Sequence, residues 1–386
     1  MNKFVMNNIP KVYFGEGALN DALLNEVNNM GNTVMIAYGG GSIKKTGIFD
    51  ETVQFLKKSN KNIIEFSGIM SNPTYKKVQE GARIVKENNV DFILAIGGGS
   101  VIDCCKTISA QAKTDKDIWE MEFKDKQFPN QFIPMGAVTT ASGTGAEMNN
   151  GAVITNEDLK IKAGVFGALA KFSVLDPQYT LTVPMKQVIS GAFDTLSHCM
   201  ETYFGKPSQN NVSDEINEAI MRNTIRNIRK TIENPQDIEP RGELMWDSAM
   251  AENGILKLGK ITDFQAHQIE HQLGAYTDCN HGQGLAVIHP VLYKHIYKDN
   301  IYKFARYAKE VWKIDDNNLS DEELALAGIN KLADFIKEIG LPTTLSKMGI
   351  TDKEMLKKVA DSCNITVGCC KQLTHEEIFD ILLECL

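Results

Sequence analysis

One stretch of the sequence limits what the chain can fold into more than any other. Asp91-Phe92-Ile93-Leu94-Ala95-Ile96 runs straight into Gly97-Gly98-Gly99-Ser100, and helical spacing resumes over 101–112. An apolar run this short, stopped by glycines, reads as a strand covered on both faces. The same order stands upstream: a strand over 32–38, the turn Gly39-Gly40-Gly41-Ser42, a helix over 47–58, a strand over 62–66 and a helix over 75–88. Strand, glycine turn, helix and strand in repetition predict βαβ units and a parallel sheet.

After Leu175-Asp176-Pro177 the pattern changes. Pro184 opens a stretch that is helical in spacing almost to the C-terminus, with β-branched runs scarce. A chain of 386 residues has room for two cores. The expectation is therefore an α/β domain over 1–180 followed by an all-helical domain over 181–386.

Charge and cysteine usage narrow the classes of partner. Lys and Arg number 41 against 49 Asp and Glu, a formal charge of −8, which argues against nucleic-acid or anionic-membrane partners. No apolar run approaches the ~18–20 residues of a membrane span. The start, Met1-Asn2-Lys3-Phe4-Val5-Met6-Asn7-Asn8, has no long apolar segment with a cleavage site and is expected to carry no secretory signal. The cysteines are two adjacent pairs, Cys104-Cys105 and Cys369-Cys370, and the singles Cys199, Cys279, Cys363 and Cys385. This is neither a zinc knuckle nor a disulfide framework, so free thiols in a reducing cytoplasm are expected.

Three turns are suited to phosphate and ribose. At Gly97-Gly98-Gly99-Ser100 the glycines are expected to permit positive φ and close approach, and the amides opening the next helix suit a pyrophosphate. Asp103 is expected in the first helical turn; the G-x-G-x-x-G fingerprint is absent, because position 102 is Ile. Gly39 to Ser42 is followed by Lys44 and Lys45, with no acid before Asp50 where dinucleotide folds commonly place one against the ribose 2′-hydroxyl. Small residues, a serine and lysines there favour a 2′-phosphate, hence NADP(H) over NAD(H). Thr139-Thr140-Ala141-Ser142-Gly143-Thr144-Gly145-Ala146-Glu147 supplies hydroxyls and glycines for a third lining turn.

Three of the seven histidines, His267, His271 and His281, fall within fifteen residues. Asp194 and His198 stand at i and i+4, as do His267 and His271, so each pair shares a helical face. A glycine-containing loop is expected to bring in His281, next to Gly282-Gln283-Gly284. One carboxylate and several imidazoles suit Fe²⁺, Zn²⁺, Mn²⁺ or Ni²⁺. Spacing leaves either His271 or His281 as the last ligand. His289, His295 and His375 have no such company and read as structural.

Together these segments resemble the iron-containing alcohol dehydrogenases, and within them the NADPH-dependent butanol dehydrogenase and aldehyde reductase branch. The resemblance runs from Val12-Tyr13-Phe14-Gly15-Glu16-Gly17 to Ile378 and takes in Gly68 to Pro73-Thr74, Gly97 to Asp103, Thr144 to Glu147 and Val174-Leu175-Asp176-Pro177, besides the Asp194/His198 and His267/His271/His281 segments. It implies a dehydroquinate-synthase-like fold, with a dinucleotide-binding domain and a helical domain around a metal in the cleft. It also implies Asp194, His198, His267 and His281 as ligands of one divalent metal, Fe²⁺ or Zn²⁺, with His271 near the substrate as a proton relay. Gly40, Gly41 and Ser42 then meet the adenosine ribose and its 2′-phosphate, and Asn72 the adenosine side. Gly98, Gly99, Ser100 and Asp103 surround the pyrophosphate, and Thr139, Thr140 and Thr144 line the cofactor. A lysine at the nicotinamide ribose is expected, Lys160 fitting best and Lys162 second. Phe264-Gln265-Ala266 stands where many relatives have Trp before the first paired histidine, and it is expected to reshape the substrate pocket. Cys199, Cys279 and His289 adjoin the key segments without being ligands.

The resulting expectation is reversible hydride transfer between NADP(H) and a primary alcohol or aldehyde, in a cytoplasmic homodimer with small-molecule substrates. The alternatives are a glycerol, diol or lactaldehyde dehydrogenase using NAD(H), a lyase of the dehydroquinate-synthase type, and a non-catalytic metal- and nucleotide-binding protein. The lyase needs basic residues for a phosphorylated, carboxylated substrate, and 261–275 has none besides its histidines.

Overall fold

The computed structural model describes Phe4 and residues 10–206, 209–316 and 318–386; apart from Phe4, the opening stretch 1–8 read for a signal lies outside the described residues. The first part of the chain runs β1 (Lys11–Phe14), α1 (Ala18–Glu26), β2 (Thr33–Tyr38), α2 (Ser42–Lys45), α3 (Ile48–Lys58), β3 (Asn62–Phe66), α4 (Tyr75–Glu87), β4 (Phe92–Gly97), α5 (Gly99–Gln111), α6 (Ile118–Phe123), β5 (Met135–Thr139), β6 (Gly151–Asn156), β7 (Ile161–Phe166) and β8 (Phe172–Leu175). Among the described residues six strands form one parallel sheet in the order β1-β8-β5-β4-β2-β3, and β6 and β7 form an antiparallel hairpin.

Both faces of the sheet are covered, which is why its central strands read as unbroken apolar runs. Met35, Ala37, Ile93, Ala95, Met135 and Ala137 form a core with α4 and α5 on one face. Val34, Ile36, Phe92, Leu94, Ile96 and Val138 form another with α1 and α3 on the opposite face. The strand order also creates a switch point. From β2 the chain turns to α3 and the edge strand β3, whereas from β4 it turns to α5 on the other face and then to β5. Ligands of open parallel sheets bind outside the carboxyl ends of strands that diverge in this way.

Three sequence-based expectations change. Helix α5 begins at Gly99 with Gly98 as its cap, so Asp103 lies in the second turn and not the first. None of Gly39–Gly41 or Gly97–Gly99 has positive φ. Space, and not backbone conformation, requires Gly97 and Gly99: a Cβ on Gly97 would enter the Val101 side chain, and one on Gly99 the Thr144 side chain. The short strands β1, β5 and β8 and the β6–β7 hairpin extend the α/β part beyond the elements expected from the pattern.

The chain divides into two compact units, Asn8–Val183 and one carrying Pro184–Leu386. The second comprises α7 (Met185–Tyr203), α8 (Val212–Glu233), α9 (Ile238–Glu252), α10 (Gln265–Thr277), α11 (His281–Ile296), α12 (Ile301–Glu310), α13 (Asp321–Glu338), α14 (Lys353–Ser362) and α15 (His375–Glu384), with no strand among the described residues. Side-chain caps start several of them, as at Asn211 with Asp214, Ser320 with Glu323 and Thr374 with Glu377. The glycine-containing loop expected around His281 is instead the first turn of α11, capped by the Asn280 side chain on the Gln283 amide. Gly282 and Gly284 serve packing there, since a Cβ on Gly282 would strike the Ser190 backbone of α7. No helix among the described residues is long and apolar enough to cross a membrane.

Candidate active site

The helical unit brings three carboxylates and four imidazoles together. Asp194, His198 and Glu201 share one face of α7, because i, i+4 and i+7 repeat with the helical period. His267, Glu270 and His271 share a face of α10, and His281 opens α11. All are buried except His281, which is half-buried. Asp194 Oδ1 lies 3.4 Å from His267 Nε2 and 3.4 Å from His281 Nε2. His198 flanks this group, with Nδ1 3.8 Å from Asp194 Oδ1 and its ring stacked on His267 at 4.5 Å between centroids. His271 completes the cluster, its ring centroid 5.6 Å from that of His281.

This arrangement fits a divalent cation. Two donors each about 2.1 Å from a tetrahedral ion stand about 3.4 Å apart, the separation of Asp194 Oδ1 from both Nε2 atoms. Asp194, His267 and His281 each offer a ligand atom, all within 4.8 Å of one another. Asp194 Oδ1 and His267 Nε2 are buried with no hydrogen-bond partner, an expensive arrangement unless something charged meets them. Glu270, His271 and His281 form a second such group sharing His281.

The electrostatics favour positive charge at the same point. Burial pulls the His267 imidazole down, but Glu201 and Asp194 overcome it and raise the pKa to about 10. Burial pushes the Asp194 carboxyl up, and His198, His281 and His267 outweigh it, holding the group well below the usual carboxylate range. His198 is lowered by burial. His289, read as structural, is lowered to about 4 by burial and bonds Ser197 Oγ through Nε2 at 2.6 Å.

Residues around the cluster divide. Phe264 flanks the histidines, its ring 5.1 Å from His267 and 6.0 Å from His198, and takes a left-handed φ of 56° as the cap of α10. Gln265, expected at the substrate pocket, is used elsewhere: its amide donates to Lys371 O and accepts from the Leu373 amide. Cys199 is buried, and Cys279 Sγ lies 3.8 Å from Glu270 Oε1. Sequence reasoning missed Glu201 and Glu270, which hydrogen-bond His267 Nδ1 and His281 Nδ1. The signal was there at i+7 from Asp194 and i+3 from His267.

In the α/β unit the glycine turns leave the carboxyl ends of neighbouring strands, where Tyr38 of β2 pairs with Ile96 of β4, and Gly97 of β4 with Thr139 of β5. Gly40 and Gly41 border open space, and Ser42 opens α2. Gly98 caps α5, and Ser100 in its first turn donates to Ser71 O beside Asn72. Thr139 ends β5, with Thr140 and Thr144 half-buried in the following turn. Asp103 faces inward, accepting from the Val153 amide at 2.9 Å and lying 3.6 Å from the buried Lys106 ammonium. Lys160 sits exposed at the hairpin turn, and Lys162 is buried on β7. Lys44 pairs with Glu65 of β3 at 2.6 Å, so the acid that the sequence lacked after β2 comes from the next strand.

The comparison with known proteins decides what this combination is. Residues 10–177 match the family model for iron-containing alcohol dehydrogenase, and 188–386 match that for the C-terminal part of the Fe-containing alcohol dehydrogenase family. The chain belongs to the iron-containing alcohol dehydrogenase family. It is similar to NADH-dependent butanol dehydrogenase A of Clostridium acetobutylicum, 40% identical over 377 residues covering 96% of each chain. It is also similar to NADPH-dependent aldehyde reductase YqhD of Escherichia coli, 35% identical over 368 residues covering 94% of each. The structure of NADH-dependent butanol dehydrogenase A from Thermotoga maritima superposes with a TM-score of 0.94 at 36% identity, covering 100% of this chain and 99% of the other. The fold is that of the family, a parallel-sheet unit followed by helices in the dehydroquinate-synthase-like arrangement. As a member, the chain is an oxidoreductase of alcohols and aldehydes, which sets aside the lyase and the non-catalytic alternatives.

Proposed function

We propose that the chain interconverts short primary alcohols and aldehydes, butanol and butyraldehyde among them, using NADP(H) in preference to NAD(H) and one divalent cation, Fe²⁺ or Zn²⁺. Asp194, His198, His267 and His281 hold the cation, and the observation that carries this reading is Asp194 Oδ1 at 3.4 Å from two imidazole Nε2 atoms. When bound, the cation would supply Lewis acidity at the substrate oxygen and the nicotinamide would supply the hydride donor or acceptor.

The chain's own residues do the rest. Asp194 and the two buried glutamates concentrate negative charge that matches the cation. His271, buried beside His281, holds or passes the proton of the substrate oxygen, a task suited to an imidazole near neutral pH. Phe264 gives the histidine cluster an apolar flank that excludes water. The amides of Gly99 and Ser100 at the start of α5, with Gly98 and the Asp103-braced turn behind them, receive the pyrophosphate. Thr139, Thr140 and Thr144 line the dinucleotide, Asn72 the adenosine side, and a lysine of the β6–β7 hairpin, Lys160 or Lys162, the nicotinamide ribose. Gly40, Gly41 and Ser42 leave open room for the adenosine ribose and a 2′-phosphate, with no carboxylate between Gly39 and Lys45.

One observation favours NAD(H) as a second reading. Glu65 accepts from both Lys44 and Tyr38, so the charge of one of the two lysines is already matched. The relatives divide the same way, in that the Clostridium enzyme is named NADH-dependent and the Escherichia enzyme NADPH-dependent. The discriminating experiment measures kcat/KM for NADPH and NADH with butyraldehyde, with Fe²⁺ or Zn²⁺ added to metal-stripped protein. Metal-dependent turnover preferring NADPH supports the proposal, and absence of metal-dependent turnover with any short aldehyde or alcohol rejects it. From the family resemblance alone we also propose a cytoplasmic homodimer. The chain's eight free thiols support a reducing compartment, and sedimentation tests the dimer.

A further inference from the structure

We infer that Glu201 and Glu270 are the positioning residues of the metal centre, each binding the Nδ1 side of one imidazole and thereby committing Nε2 of His267 and His281 to the cation. The inference rests on the metal centre proposed above and goes beyond it by assigning work to two side chains that are not ligands of that centre.

Both glutamates are completely buried. A carboxylate in such a place persists only when donors surround it. Glu201 Oε2 accepts from His267 Nδ1, while Oε1 accepts from the Ala266 amide at 2.6 Å and Oε2 from the His267 amide at 3.3 Å. Those amides belong to the first turn of α10, which has no side-chain cap, so Glu201 of α7 also satisfies that helix end. Glu270 Oε2 accepts from His281 Nδ1, with Cys279 Sγ 3.8 Å from Oε1. The room for it comes from Gly284, where a Cβ would lie 2.8 Å from Glu270 Cγ.

The two contacts lace three helices in series: α7 grips the histidine of α10, and α10 grips the histidine of α11. In the neutral imidazole that a cation requires, each contact fixes the tautomer, with the proton on Nδ1 and the lone pair on Nε2, and each fixes the tilt of the ring. Asp194 Oδ1 then stands at the same 3.4 Å from both Nε2 atoms. A carboxylate behind a ligating imidazole also raises its basicity, and its removal typically weakens metal binding 10–100-fold.

The experiment titrates Zn²⁺ against a competing chelator in full-chain wild type, E201Q and E270Q, with circular dichroism and Tm as folding controls. Long-range ¹H–¹⁵N spectra of the metal-stripped proteins, recorded above the His267 pKa of about 10 so that the ring is neutral, report the histidine tautomers. The expected result is one equivalent of Zn²⁺ in all three, bound ~10–100-fold more weakly in each folded variant. His267 loses its single tautomer in E201Q, and His281 loses its own in E270Q. Gln keeps an acceptor for the α10 amides, so a merely structural role of Glu201 would leave both the Zn²⁺ affinity and the tautomer unchanged. If E201Q does not fold, E270Q carries the test alone. Wild-type affinity and tautomers in folded variants overturn the inference. A second equivalent in wild type that is lost in E270Q makes Glu270 a ligand with His271 and His281, which overturns its positioning role. A wild type that binds no Zn²⁺ but shows single tautomers refutes the proposed function and leaves the glutamate assignment standing.

Discussion

At the proposed metal centre the recognition atoms belong to side chains: one carboxylate and three imidazoles from three helices, with two glutamates behind them. At the glycine turns proposed for the dinucleotide they are backbone amides, and the side chains that matter most are missing. Gly97 and Gly99 are required because Val101 and Thr144 occupy the space a Cβ would take. A site of the first kind fails when a donor is removed. A site of the second kind fails when an atom is added. The two should therefore respond to different substitutions and report through different ligands.

The largest effect is expected at the side-chain site. His267→Ala removes the imidazole whose Nε2 faces Asp194 and should weaken metal binding by at least ~100-fold, with activity lost in parallel. Metal analysis and butyraldehyde turnover measured together check this, and retained metal breaks the division of labour. His271→Ala should keep the metal and slow kcat ~10²–10⁴-fold, the usual contribution of a proton-transfer group. If that variant is also metal-free, His271 is a ligand and the contrast between holding and relaying is wrong.

Next comes an added atom at the backbone site. Gly99→Ala drives a methyl into Thr144 and should cost about 1–3 kcal/mol of stability while weakening dinucleotide binding and leaving metal affinity alone. The double change with Thr144→Ala should recover most of the loss; calorimetry without such recovery would show that the collision is not the cause. The smallest effect is on preference. A Cβ on Gly40 meets nothing within 4 Å, so Gly40→Asp should fold normally and shift the NADPH/NADH kcat/KM ratio roughly tenfold toward NADH through repulsion of a 2′-phosphate. An unchanged ratio removes Gly40 from the ribose site.

The same contrast explains what could be read from the sequence. Histidine and aspartate at helical spacing announce themselves by residue type, and Asp194, His267 and His281 do meet. Glu201 escaped because glutamate is common in helices and its partner stands 66 residues away. The βαβ order was legible because β2 and β4 are buried on both faces, whereas β1 and β8, four residues each, are too short to show a pattern. Glycine was the ambiguous letter. It can serve positive φ or close approach, and the neighbours that decide between them, such as Thr144 against Gly99 or Ser190 against Gly282, are remote in sequence. For that reason the turn at Gly97–Gly99 was placed correctly along the chain but credited with a positive φ it does not use, and the start of α11 was read as a loop. Glu65 was missed likewise: the acid near Lys44 comes from the adjacent strand β3 and not from the turn after β2.

The central claim is that a single cation sits among Asp194, His198, His267 and His281. Crystals of the metal-loaded protein, measured on both sides of the absorption edge of the loaded metal, test it most directly. The account predicts one anomalous peak per chain, within about 2.0–2.2 Å of a carboxylate oxygen of Asp194 and a nitrogen of each of the three histidines. A peak elsewhere, or one ligated by His271 in place of His281, would contradict it.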